Sequence, residues 1–395
     1  MKILVFSQYF YPENFRINAL CRELVRRGHE VTVVTGYPQY PQGEIYPGYG
    51  FDVPYEPIWE GVRIQRVKVP PRGKGIVGMI RNMLGYVVSA NRWVRACDVC
   101  YGAVYVFEVS PVTVGLPAAA YKKKFGSPLY FNLQDLWPEN VEEVLGIRFP
   151  PVIWCINRVV DHIYRACDRI LCTSNGFVEN LRRRGVPESK LVYWPQFCEE
   201  PQLQGITRPE DMSPDTLNIV FAGNLGDAQG LDLLIRTAKE LDTGIRWYLV
   251  GDGRARERLE QLATELAVTD RVRFVGRVST EEADRWVHFA DFAYLSFQDN
   301  KIFNMTIPAK LQTYLACGTP ILAAAGGESA RIVGENRCGL VSAPVPEELV
   351  KTVKTAAAMT EAEKNIMSAS ARACYESQFT MKELVDRLEA MLAQE

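Results

Sequence analysis

MKILVFSQYFYPENFRINALCRELVRRGHEVTVVT, residues 1–35, decides the fold. KILVFS (2–7) is an apolar run that predicts a strand, and the loop QYFYPENFR follows it. A helix is expected over 15–27, then Gly28, then a second strand EVTVVT at 30–35. Strand, crossover helix and strand make a β–α–β unit of the doubly wound type, with its first loop at the carboxyl end of a strand.

Working outward, strands are expected at 62–68, 99–105, 128–132 and 169–173, all able to join one parallel sheet. The second half repeats the plan. Strand 217–222 (LNIVFA) leads into the loop GNLGDAQG and a helix over 231–241, and strand 245–250 meets Gly251-Asp252-Gly253 before helix 254–267. Strands 272–275, 292–296 and 319–324 and helices 308–317 and 328–333 continue the series. Residues 198–216, rich in Glu, Pro and Gln and without periodicity, read as a linker. The expected organisation is a domain over 1–197, that linker, a domain over 217–377, and a C-terminal helix over 378–395. On that helix Leu384, Leu388, Met391 and Leu392 share one face.

A chain of 395 residues, 47% hydrophobic and 23% charged, fits two globular domains. A net charge of −2 gives no global case for nucleic-acid binding, and the clusters Lys122 to Lys124 and Arg182 to Arg184 read either as solvated helix ends or as local patches that meet an anionic surface. Ten cysteines scattered through apolar segments read as small buried hydrophobes of a reducing cytoplasmic setting. Cys97 and Cys100 form a CxxC, but no second pair or histidine cluster completes a metal site. The N-terminus lacks the pattern of a secretory signal, and no run of 18 apolar residues spans a membrane. GIVGMIRNMLGYVVSANRWV (75–94) has two readings, an interfacial helix touching a membrane surface or a helix packed on the sheet.

PAKLQTYLACG, 308–318, carries the chemistry. Pro308 suits a first helical position and Gly318 the residue past the last, while Leu311, Tyr314 and Leu315 form an apolar stripe. Lys310 then lies in the first turn, where a helix already carries partial positive charge. Either it points into water, or a diphosphate uses it together with the free N–H groups of that turn. Gly223, Gly226 and Gly230, and likewise Gly251 and Gly253, sit at strand-to-helix turns where backbone can approach a phosphate or sugar. Asp252 has the alternative role of a helix cap.

RGHEVTVVT (27–35), FAGN (221–224), LVGDG (249–253), FVG (274–276) and YLACGTPIL (314–322) stand in the order and spacing of a known family. With them the chain resembles the retaining glycosyltransferases of family 4, whose α/β fold, GT-B, places two Rossmann-like doubly wound parallel-sheet domains facing across a cleft. GYPQYPQG (36–43), DLWPE (135–139) and the P-x-K-x-x-x-Y-L-A-x-G helix are similar to the branch that builds bacterial capsule, O-antigen and exopolysaccharide. The resemblance implies sugar transfer from a nucleotide diphosphate, UDP favoured, to a lipid-linked or growing glycan acceptor, with retention. It implies an acceptor-binding first domain and a nucleotide-sugar-binding second one.

Carried over, Pro308, Ala309, Lys310 and Thr313 would hold the donor with Gly223, Asn224, Gly226, Gln229, Gly251 and Gly253. The family's usual arginine and lysine are replaced by Asn224 and Gln229, and its two usual glutamates fall at Met305 and Thr313. Gln8, Tyr9, Glu13, Asn14, Arg16, Tyr37 and Tyr40 would shape the acceptor site. Asp135, with Lys310, is the catalytic candidate: it presents a carboxylate to the reacting centre or caps the helix beginning near Pro138. Glu13 has the same alternative of a simple N-terminal helix charge. No D-x-D occurs, so no metal and no cofactor beyond the nucleotide sugar is expected. A UDP-sugar 2-epimerase on the same fold, or a non-catalytic nucleotide-sugar-binding subunit, are the competing functions. Location at the cytoplasmic face of a membrane, peripheral at most, completes the expectation.

Overall fold

A computed structural model describes residues 1–73, 75–144, 146–298 and 300–393. It divides into two compact units, Met1–Trp194 with Val385–Glu395, and Pro195–Leu384.

The first unit is built on strands β1 (Lys2–Phe6), β2 (Glu30–Thr35), β3 (Ile58–Trp59), β4 (Val62–Arg66), β5 (Ala103–Glu108), β6 (Leu129–Leu133), β7 (Arg169–Cys172) and β8 (Leu191–Tyr193). Their order across the sheet is β3-β4-β2-β1-β5-β6-β7-β8. Every pairing is parallel except the short edge pair β3–β4. Strand order reverses between β1 and β5, so the chain leaves these neighbours in opposite directions and opens a crevice at their carboxyl ends. Helix Arg16–Arg26 covers one approach because Ile17, Leu20, Cys21 and Leu24 fall on one buried stripe.

The second unit repeats the design with β9 (Leu217–Ala222), β10 (Ile245–Val250), β11 (Val272–Gly276), β12 (Phe292–Ser296), β13 (Ile321–Ala324) and β14 (Gly339–Ser342), all parallel, in the order β11-β10-β9-β12-β13-β14. Its reversal lies between β9 and β12. Both units therefore carry the doubly wound parallel sheet that the sequence predicts.

Three expectations are corrected. The strand expected at 99–105 lies at 103–108: Gly102 ends the approach, and AVYVFE is buried at all six positions, as a central parallel strand requires. Segment 198–216 belongs to the second unit and is no free linker. Met212 is buried, Arg285 donates to the carbonyls of Thr207 and Arg208, and Tyr248 Oη donates to Asp211 O. At the other end the division falls after Leu384, inside helix Met381–Leu392 and not at 377/378. Residues 394 and 395 of the expected C-terminal helix lie outside the described residues.

Candidate functional site

In the second unit the loops after β9 and β12 and the start of helix Ala309–Ala316 meet at the strand-order reversal. Pro308 is the extended N-cap of this helix, not its first helical residue, so Lys310 is the second residue of the first turn. The helix is anchored behind: Tyr314 Oη accepts from Ala222 N at 3.0 Å, and Arg372 Nη1 donates to the Ala316 carbonyl at 2.8 Å. Lys310 Nζ donates to Gln229 Oε1 at 2.9 Å and lies 5.0 Å from the centre of the Phe221 ring. It has no ion pair among the described residues. Burial without a countercharge lowers its pKa from 10.5 to about 8.

The glycines make this arrangement possible in a way the sequence did not anticipate. A Cβ on Gly223, whose φ is +138°, would lie 2.5 Å from Lys310 Cε, so the bare backbone leaves room for the lysine arm. Gly251 and Gly253 serve loop packing: a Cβ there would lie 2.0 Å from Gly223 O and 2.5 Å from Leu225 O. Asn224 is exposed, and Gly226 packs against its amide. Thr313 Oγ1 bonds back to Ala309 O at 3.3 Å and lies 3.7 Å from Cys198 Sγ, while Ala309 is exposed.

In the first unit the acceptor candidates separate into two groups. Glu13 is buried, its Oε1 accepting the N–H groups of Gln39 at 2.8 Å and Tyr40 at 2.7 Å, its Oε2 that of Phe10 at 3.2 Å. It clamps the loop after β1 to the segment after β2, which corrects its reading as an acceptor ligand or an N-terminal helix charge. Burial raises its pKa even against those three donors. Gln8 is likewise turned inward, donating to Asn82 Oδ1 at 2.6 Å. Tyr9 is buried and stacks on Phe15 at 5.3 Å, and burial pushes its hydroxyl up to about 12. Tyr37 is buried against Phe51 and Tyr55. Asn14 and Tyr40 are exposed, and Arg16 opens the helix half-buried.

Asp135 follows β6 and is half-buried. Its Oδ2 accepts from Ser110 N at 2.9 Å and Ser110 Oγ at 2.7 Å, and Trp137 Nε1 donates to the same hydroxyl at 3.2 Å. Its Oδ1 makes no hydrogen bond among the described residues. Sequence reasoning missed two carboxylates at the strand ends. Glu108 ends β5 fully buried, and Glu328, after Gly326-Gly327 in the turn beyond β13, is buried and paired with Arg331 at 2.9 Å. The signal for both was present: an acid closing an apolar strand run, and an acid in a helix first turn behind two glycines.

Residues 14–196 match the glycosyl transferase 4-like domain, and residues 216–358 match the glycosyl transferases group 1 family. The chain belongs to the family 4 glycosyltransferases. This glycosyltransferase is 23% identical over 354 residues to the putative colanic acid biosynthesis glycosyl transferase WcaI of Escherichia coli K12, covering 80% of this chain and 82% of that one. Its fold is similar to sucrose-phosphate synthase from Thermosynechococcus elongatus, with a TM-score of 0.73 at 16% identity over 100% of this chain and 98% of the other. HepE of Anabaena, solved in complex with UDP, aligns over 100% of both chains with a TM-score of 0.69 and 14% identity. Among the described residues no helix is long and apolar enough to cross a membrane, and no group of three or more His, Cys, Asp or Glu could hold a metal ion.

Proposed function

We propose that this glycosyltransferase moves a hexosyl or N-acetylhexosaminyl group from a UDP-sugar to a lipid-linked or growing glycan, with the anomeric configuration retained and without bound metal. The observation that carries the reading is Lys310, a half-buried cation in a helix first turn with no acidic partner among the described residues. A diphosphate supplies the missing charge and also uses the free N–H groups of that turn. As the bond from the anomeric carbon to the diphosphate oxygen breaks, negative charge builds on the leaving group, and Lys310 stabilises it. On the first unit, Asp135 offers a carboxylate oxygen that takes the proton of the acceptor hydroxyl as its oxygen forms the new bond to the anomeric carbon.

The UDP in HepE supports the nucleotide, and the colanic acid role of WcaI supports the polysaccharide setting. Attachment to the cytoplasmic membrane face belongs to the same reading. Ile76, Val77, Ile80, Leu84 and Val88 are exposed along one stripe of helix Ile76–Ala96, which carries three arginines and no acid.

The test supplies UDP-, GDP- and dTDP-sugars with a lipid-linked glycan extract, and follows nucleotide release and glycan mass, with Lys310→Ala and added EDTA as controls. Transfer from a UDP-sugar that survives EDTA and is lost in the variant is expected. Unaltered turnover in the variant would remove Lys310 from the mechanism, and donor converted to its epimer without acceptor would replace transfer by epimerisation.

A further inference from the structure

We propose that Glu108 is the positioning residue for Asp135, holding its backbone while Ser110 holds its carboxylate, and that Glu108 does so carrying a proton. This rests on the reading of Asp135 as the group that meets the acceptor. Glu108 Oε2 accepts the N–H groups of Gln134 at 3.1 Å and of Asp135 at 3.0 Å. One carboxyl oxygen thus pins the first two residues after β6 to the end of β5. Ser110, two residues on from Glu108, completes the grip on Asp135 Oδ2.

The surroundings determine the protonation state. Glu108 is 0% exposed, makes no ion pair among the described residues, and its Oε1 is buried without a hydrogen-bond partner. The titratable groups facing it are Asp135 from the turn after β6 and Tyr164 from helix Pro150–Ala166, whose hydroxyl is also buried and unpartnered. Neither is a cation, so an ionised carboxylate here would be a buried, unpaired charge. Burial first, and then the negative charge of Asp135, hold its pKa well above the usual carboxylate range. With Oε2 accepting two N–H groups, the proton belongs on Oε1. Two carboxyl groups then sit side by side with divided roles, Glu108 neutral and fixed at the strand ends, Asp135 held through Oδ2 by Ser110.

Glutamine reproduces a neutral Glu108 and its accepting oxygen, whereas leucine removes the hydrogen bonds. Glu108→Gln is expected to keep kcat within about threefold, and Glu108→Leu to lose roughly a hundredfold in kcat through misplacement of Asp135. UDP affinity should stay unchanged in both. An infrared difference spectrum between wild type and Glu108→Gln near neutral pH should contain the carbonyl band of a protonated carboxylic acid. This reading carries the test if Glu108→Leu does not fold. Absence of that band, or a Glu108→Gln variant as damaged as Glu108→Leu, would overturn the proposal. Asp135→Asn separates it from the reading beneath: full kcat there removes Asp135 from the reaction, whereas a damaged Asp135→Asn beside an undamaged, folded Glu108→Leu overturns the positioning role alone.

Discussion

Each unit holds one prominent cation near the carboxyl end of its sheet, Arg66 buried and Lys310 half-buried, and the two are treated oppositely. Arg66, closing β4, donates Nη1 to Gly36 O at 2.8 Å and Nη2 to Tyr11 O at 2.7 Å, and lies 5.1 to 6.0 Å from the ring centres of Tyr49, Tyr55 and Tyr37. Lys310 has one amide oxygen and one ring. Burial lowers the pKa of both. A cation surrounded by carbonyls and rings is part of the fold, and one left with a single neutral partner is stored for something that arrives later.

Methionine at each position should break this comparison most clearly. Lys310→Met is expected to lower kcat/KM roughly a thousandfold, since it removes the cation at the leaving group. In the same variant the Tm without ligand should rise by a few degrees, because about 1–2 kcal/mol of desolvation is relieved. Arg66→Met should do the reverse. Two stranded carbonyls and the emptied ring cage cost about 3 kcal/mol and lower Tm by roughly 6–12 °C, with UDP affinity kept. Loss of stability in the first and of affinity in the second would invert the assignment.

Gly223→Ala sharpens the Lys310 half. The new methyl meets the lysine arm in a backbone conformation that alanine avoids, so UDP affinity should drop by about tenfold or more, read by calorimetry. A pH series follows. Lys310 titrates at about 8 when ligand-free, and a bound diphosphate raises that value, so UDP affinity should be flat below pH 8 and fall by up to about tenfold per unit above it. The stability sign is opposite: folded Lys310 lies below its unfolded 10.5, so its cost is full below about 8 and fades as pH rises toward 10.5. Lys310→Met should remove both slopes.

The smallest effect concerns the surfaces. The apolar stripe on helix Ile76–Ala96 belongs to the first unit, and Phe149 and Trp154 are exposed at the start of another of its helices. Co-sedimentation with phosphatidylglycerol-containing vesicles should fall several-fold in Ile80→Glu, while turnover of a water-soluble acceptor stays unchanged.

Much of this was legible in the chain. The β–α–β period, the glycine turns and the Lys310 helix are local patterns, and local patterns survive in sequence. What was hidden depends on partners far along the chain. Glu13 reads as an acceptor ligand or an N-terminal helix charge because its three N–H donors include Gln39 and Tyr40 of another segment. Segment 198–216 reads as a linker because its ties come from Arg285 and Tyr248. Glu108 was missed because the strand was expected to end at 105, which left the acid in a loop. Gly223 was assigned to substrate approach, although the atom closest to its missing Cβ is on Lys310.

The C-terminal helix carries a consequence for the order of events during synthesis. Arg27 binds Asp386 and Glu389, Tyr130 donates to the Met391 carbonyl, and Leu388 and Leu392 are buried. The first unit is therefore encoded in two pieces with the whole second unit between them. A nascent chain can complete the later unit before the earlier one, whose closing helix is synthesised after it. Trimming the chain after Leu384 would thus injure the unit that was made first.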